Sequence, residues 1–247
     1  MTTSSGTKIR PKALIFDVFG TVVDWRSGIA AECARAFTKK NIAADPHEFA
    51  DLWRAEYQPA MQKVRSGNRG YVSLDTLHLE NLNAVLAKTG FAGHFSAEER
   101  ADLNHAWEKL PPWPDSVAGL SAIRKHAIIA PCSNGSIALL TRMAKFGGLP
   151  WDAILGADIA QNYKPEAVVY RRNAEVLGLA PGEVMMVAAH NNDLEAARAA
   201  GLQTAFVVRP HEHGPGQTSD LEATGNWEIV AGDFLELAAR INELPPG

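Results

Sequence analysis

The chain has 247 residues, 46% apolar and 21% charged, and its 24 basic and 28 acidic side chains leave a formal net charge of −4. That length supports a substantial buried core, and the mild acidity gives no reason to expect nucleic acid or an anionic membrane as a partner. Two cysteines, Cys33 and Cys132, cannot make a disulfide framework and read as small buried hydrophobes.

Met1 to Lys12 is polar and reads as a loose lead-in, with residues 1–10 set aside as a flexible N-terminus. The apolar run that follows, Ala13–Phe16, is far too short for a signal-peptide core or a membrane span, and nothing later reaches membrane length. A cytoplasmic location is the expectation. Ala13–Phe16 reads instead as a buried strand ending at Asp17.

From about Trp25 to Trp113 the apolar spacing is helical: Ile29, Cys33 and Phe37, later Leu79, Leu82, Val85 and Leu86. No strand run interrupts it, and Pro111, Pro112 and Pro114 close it off. Strands then alternate with helices. Ala127–Pro131, Val184–Ala189 and Thr204–Val208 read as buried strands. Helical spacing appears at Val117, Leu120 and Ile123, at Ile137, Leu140, Met143 and Ala144, and at Leu194, Ala197 and Ala200–Gly201. Such alternation implies an α/β fold, a doubly wound parallel sheet covered on both faces. The chain divides accordingly into a Rossmann-like core, residues 11–24 plus 112–241, and a helical cap, residues 25–111. Open parallel sheets bind ligands beyond the carboxyl ends of their strands, where a cap rooted after the first strand would exclude water.

Four polar clusters fall at or near those ends: Asp17 to Thr21, Ser133–Asn134–Gly135, Tyr163–Lys164–Pro165 and His190 to Asp193. Singly, each has a plain structural reading: a turn cap at Asp17, a turn at Ser133, a solvated Lys164, an N-cap at Asp193. A parallel sheet would bring the first, second and fourth to one edge, with Lys164 reaching them from a loop. Their joint order points to a site. His211 and His213 flank a glutamate ahead of Gly214-Pro215-Gly216, a metal-like composition with no third ligand apparent, and the segment reads as a solvated turn. Trp53, Trp107 and Trp151 read as core or interface residues.

The run Phe16-Asp17-Val18-Phe19-Gly20-Thr21-Val22-Val23-Asp24 resembles the first motif of the haloacid dehalogenase superfamily. Ser133-Asn134-Gly135, Tyr163-Lys164-Pro165 and Asn191-Asn192-Asp193 resemble its second, third and fourth. The resemblance implies that Asp17 attacks the substrate and forms a covalent intermediate, which water hydrolyses. Phosphatases of this group carry a second aspartate two positions after the nucleophile to protonate the leaving alkoxide. Here that position is Phe19, which holds no proton, whereas a halide leaves as a stable anion and needs none. Leu52-Trp53-Arg54, followed by Glu56-Tyr57, resembles the cap segment in which L-2-haloacid dehalogenases carry an active-site arginine. Tyr170 follows Lys164 with that family's separation.

The resemblance therefore implies cofactor-free hydrolysis of small 2-halocarboxylic acids to 2-hydroxy acids, through an aspartyl ester and with inversion. L-2-haloacids and haloacetates are the expected substrates, and halide ion the expected co-product. Asp17 is the expected nucleophile, Lys164 the cation that orients it, and Asp193 the partner of Lys164 that helps activate water. Thr21 and Tyr170 are expected to hydrogen-bond around the nucleophile, and Arg54 to receive the halide. Ser133 and Asn134 are assigned to the substrate carboxylate, and Phe19, His190 and Asn192 to the pocket. No metal is expected to be required. The chain departs from the family at Ala188-Ala189-His190, where serine-serine-asparagine is usual, and at Asn192, where tryptophan is frequent. His190 as a hydrogen-bond donor to departing fluoride would add fluoroacetate to the substrates. The rival expectations are a magnesium-dependent phosphatase and a non-catalytic binding protein on the same fold; a homodimer is compatible with the cap.

Overall fold

The structure is a computed structural model that describes residues 10–245. Of the flexible terminus expected over residues 1–10, residues 1–9 lie outside the described residues. At Arg10 and Lys12 the expectation of a loose lead-in is corrected. Arg10 donates from its guanidinium to the carbonyls of Ile241, Asn242 and Leu244, and the Lys12 amide donates to the Glu183 carbonyl. The lead-in is thus pinned at two places, by Arg10 to residues 241–244 and by Lys12 to Glu183.

Five strands form one parallel sheet: β1 (Ala13–Phe16), β2 (Ile128–Pro131), β3 (Val184–Ala188), β4 (Gln203–Val207) and β5 (Ile229–Ala231), in the order β2-β1-β3-β4-β5. Continuous apolar runs are what a strand buried on both faces requires. The alternation of side chains then sorts each strand between two cores. Leu14 and Phe16 of β1 join Ile129, Met185, Val187 and Val207 on one face. Ala13 and Ile15 join Ala130, Met186, Ala188 and Phe206 on the other. β2 and β3 are each one residue shorter than expected, β4 begins and ends one residue earlier, and β5, only three residues long, gives no sequence signal of its own.

Between β1 and β2 lies the inserted helical cap: α1 (Trp25–Lys40), α2 (Pro46–Ala55), α3 (Tyr57–Arg65), α4 (Leu74–Lys88) and α5 (Ala97–Asn104). Local chemistry sets its boundaries. The Asp24 carboxylate caps the start of α1, and Asn41, left-handed at φ 53°, ends it. Asp45 caps α2, whose first residue is Pro46, a position where proline's missing N–H costs nothing. The sheet is flanked by α6 (Ser116–Ile123), α7 (Ile137–Gly147), α8 (Ala167–Val176), α9 (Asn191–Ala199) and α10 (Phe234–Glu243). The two chain segments entering and leaving the cap run side by side. The Asp24 amide donates to Pro111 and the Trp113 amide to Val22. Among the described residues, no helix is long and apolar enough to cross a membrane.

Candidate active site

The ladder runs one residue past β1: the Asp17 amide donates to Val187 and the Cys132 amide to Phe16. Asp17 thereby emerges at the carboxyl edge between the ends of β2 and β3. The loop after it is fixed from three sides. Thr21 Oγ1 donates to Asp17 Oδ2 at 2.7 Å and accepts from the Ala189 amide at 2.9 Å. Arg209, paired with Asp115 by two 2.8 Å bonds, donates from Nε to the Thr21 carbonyl. A loop so held keeps the carboxylate in one orientation.

Lys164, buried on the loop before α8, puts Nζ 2.8 Å from Asp17 Oδ1 and also bonds Asp193 Oδ2. Its backbone is gripped at both ends: the amide donates to Asn134 Oδ1 and the carbonyl accepts from Arg65 Nη1 of α3. Burial alone would lower the lysine, but the Asp17 and Asp193 charges outweigh it and hold it above its ordinary value. Burial would likewise raise Asp17. The charge of Lys164, with the hydrogen bond and charge of His190, instead carries it far below the usual carboxylate range. Both cationic neighbours thus favour the ionised form of Asp17.

On the other side, His190 Nδ1 lies 3.2 Å from Asp17 Oδ2, and its Nε2 lies 2.7 Å from Glu212 Oε2. The cap closes the cavity from above. Arg54, near the end of α2, stacks its guanidinium 3.9 Å from the Tyr57 ring centroid, 5.2 Å from Trp25 and 5.7 Å from Phe19. Its Nη1 is buried and has no hydrogen-bond partner among the described residues. Asp17, Phe19, Arg54, Lys164, His190 and Asn192 all line one cavity of about 690 Å³.

The structure thus brings together Asp17, Thr21, Lys164, Asp193, His190, Phe19, Arg54 and Asn192, and it gives Tyr170, Ser133 and Asn134 specific partners. The Tyr170 hydroxyl donates to Asp193 Oδ1 at 2.5 Å and so reaches Asp17 only through Asp193 and Lys164. Ser133 Oγ accepts from the Gly135 amide and shapes the turn, which leaves its O–H as a donor. Asn134 commits its amide oxygen to Lys164, leaving Nδ2 as its donor on the cavity. Sequence reasoning also missed Glu212. The loop read as a solvated turn carries a buried carboxylate, 1% exposed, against His190. Its only signal was a glutamate between two histidines just beyond the end of a strand.

A parallel sheet with a buried aspartate after β1, a lysine on a loop, an acidic residue opening α9 and a helical cap defines a class of hydrolase. Residues 11–201 match the haloacid dehalogenase-like hydrolases, and the chain belongs to that family. Its similarity is strongest toward one branch. A solved defluorinating L-2-haloacid dehalogenase is 52% identical, with 97% of each chain covered and a TM-score of 0.93. A second solved L-2-haloacid dehalogenase is 41% identical over 95% of this chain and 99% of that one, with a TM-score of 0.90. The (S)-2-haloacid dehalogenase of Pseudomonas sp. (strain YL) is 28% identical over 233 residues, 92% of this chain and 96% of that protein.

The magnesium ion used by phosphatases on this fold does not fit the residues present. Phe19 stands where their second aspartate stands, its ring 5.7 Å from that of Trp107, and Asp17 and Asp193 already share the Lys164 ammonium.

Proposed function

We propose that this protein hydrolyses small L-2-haloacids and haloacetates, with Asp17 as nucleophile and no resident cofactor, the reaction of its L-2-haloacid dehalogenase relatives. The core, residues 11–24 and 112–241, supplies the nucleophile, and the cap, residues 25–111, supplies the halide pocket. An Asp17 oxygen attacks the halogen-bearing carbon from the face opposite the halogen. A C–O bond forms as the carbon–halogen bond breaks, the halide leaves with the bonding pair, and the carbon inverts. Water then adds to the ester carbonyl of Asp17 and releases the 2-hydroxy acid.

The observation that carries this reading is the pairing of Phe19 with Arg54. An apolar ring stands where a phosphatase needs a proton donor, and a buried guanidinium with an unsatisfied N–H faces the same cavity as the nucleophile. A halide is a hydrogen-bond acceptor that leaves without a proton, and it would satisfy that donor. Lys164 keeps Asp17 ionised, Thr21 holds its second oxygen, and Tyr170 orients Asp193. Asn134 Nδ2 and Asn192 supply donors toward the substrate carboxylate. The 52% identical defluorinating relative supports fluoroacetate as a substrate.

The test is a halide-release assay with chelator present, over chloro-, bromo- and fluoroacetate and both 2-chloropropionate enantiomers. The wild type is expected to release halide and to prefer the L enantiomer; Asp17→Asn is expected to release none. Inorganic phosphate freed from simple monoesters, with no halide from any haloacid, would contradict the proposal.

A further inference from the structure

We propose that Glu212 and His190 form the proton-handling pair of the second half-reaction, with His190 the general base that activates water against the Asp17 ester and Glu212 its positioning residue. The proposal rests on the dehalogenase reading above and adds a step to it.

The pair is built into the fold. Glu212 Oε2 meets His190 Nε2 at 2.7 Å, and Oε1 accepts from Trp25 Nε1 at 3.0 Å. The carboxylate lies directly over the nucleophile loop. Gly20 there has φ +88°, and a Cβ at that residue would fall 2.1 Å from Glu212 Cδ. A glycine is required both by the left-handed backbone and by this close approach. The glutamate thus fixes one imidazole nitrogen, and the other points at Asp17 Oδ2 from 3.2 Å. Water must add to Asp17 Cγ, one bond from that oxygen, so a base at Nδ1 is within hydrogen-bond reach of it.

Asp193, expected from sequence to help activate the water, is taken up elsewhere. Its Oδ2 is bonded to Lys164 Nζ and its Oδ1 accepts from Tyr170. Lys164 is a cation between two carboxylates and has no lone pair to offer. His190 is the group at Asp17 with both an exchangeable proton and a partner placed to stabilise its charge.

The proton count closes around a cycle. In the resting enzyme His190 faces two anions, Asp17 and Glu212; burial opposes its charge, yet the two carboxylates hold it well above the ordinary imidazole range. The other charged and titratable groups around the pair are Lys164 on the far oxygen of Asp17 with Asp193 behind it, Arg54 toward Glu212, His213, whose Nε2 is 3.7 Å from Glu212, and Asp220 on the wall of the same cavity. Esterification removes the Asp17 charge, so His190 keeps one anion against the same cations and gives up a proton to solvent. That proton and the halide are the net acid of the reaction. The free Nδ1 then takes a proton from water as its oxygen bonds to Cγ. Collapse breaks the bond from Cγ to the substrate oxygen, and the leaving 2-hydroxy acid takes that proton from His190. The Asp17 carboxyl returns its own proton to the imidazole, restoring the resting pair.

Two variants test the pair, His190→Asn and Glu212→Gln, each mixed rapidly with chloroacetate while halide release and intact protein mass are followed. Both are expected to release one halide per site at close to the wild-type rate and then to turn over slowly. The loss is of order 10²–10⁴-fold for His190→Asn and smaller for Glu212→Gln. The ester should accumulate as protein heavier by one carboxymethyl group. The burst itself reports a folded nucleophile site, which a structural defect would not preserve. Variants whose burst and steady-state rates fall together, or that turn over at the wild-type rate with no ester, overturn the proposal. A wild type that releases no halide at all overturns the dehalogenase reading beneath it.

Discussion

Lys164 carries the electrostatics of the site, because two carboxylates approach it in a place water hardly reaches. Removing one member of a buried ion cluster leaves uncompensated charge, at a cost of about 3–5 kcal/mol. Lys164→Met is therefore expected to lose halide release and about that much stability at neutral pH. The sign of its pH dependence follows from which state binds more protons. In the wild type the Asp17 carboxyl is held below its unfolded value, so its contribution is present above the ordinary carboxylate range and is lost as pH falls through and below it. In Lys164→Met the lysine charge is gone and only His190 still opposes burial, so Asp17 moves upward from its wild-type position and the folded state loses less stability as pH falls through that range. Urea unfolding at several pH values should show the gap between the two proteins narrowing on acidification. A gap independent of pH would mean that the lysine does not set the Asp17 charge.

At the scale of elements, the loop after β1 is where core and cap meet, and Phe19 is its apolar anchor. Its ring stands edge-on to Trp107, Tyr57 and His78, at 5.7, 6.4 and 6.3 Å between centroids. His78 is stacked 4.0 Å from Trp107 and kept neutral, since burial and then the Arg54 charge push it well below the ordinary imidazole range. Phe19→Ala opens a cavity in this cluster and should cost about 3–5 kcal/mol in equilibrium unfolding. A loss below 1 kcal/mol would mean that the cap does not lean on this ring.

These elements differ in how far the sequence exposes them. β1, β2, β3 and β4 are readable because strands buried on both faces must be apolar throughout, and Asp17 stands out as the first charge after such a run. Lys164 is readable only through the order of the clusters around it. Glu212 is not, for its partners are His190, 22 positions away, and Trp25, 187 away, and no local pattern encodes contacts between loops that distant. The partners of Ser133 and Tyr170 are hidden for a related reason. Their residue types fit hydrogen bonding near Asp17, but which partner each one meets, the Gly135 amide for Ser133 and the Asp193 carboxylate for Tyr170, is decided by packing.

For the molecule as a whole, the two cores are unequal. The cluster on the β1 face that holds Leu14 and Phe16 runs without a break through Phe19 into Trp25, Trp53 and Trp107 of the cap region. The opposite cluster stays within the sheet and the helices behind it, with Tyr170 and Leu194. The cap is thus packed onto the catalytic edge as part of one hydrophobic body. Arg65 adds a bond to the Lys164 carbonyl, and Tyr71 one to Asp158 at 3.1 Å. A reaction in which a carboxylate must meet carbon rather than water is well placed in such an enclosure, since excluding solvent strengthens each charge inside.

The central claim is that Asp17 itself bonds to the substrate carbon, so the oxygen of the first product comes from the protein. A single turnover in water enriched in heavy oxygen, with enzyme in excess over chloroacetate, measures this directly by mass spectrometry of the peptide containing Asp17 and of the glycolate formed. Label in the Asp17 carboxylate and none in the glycolate is the predicted result; label carried straight into the glycolate, with an unlabelled peptide, would contradict it.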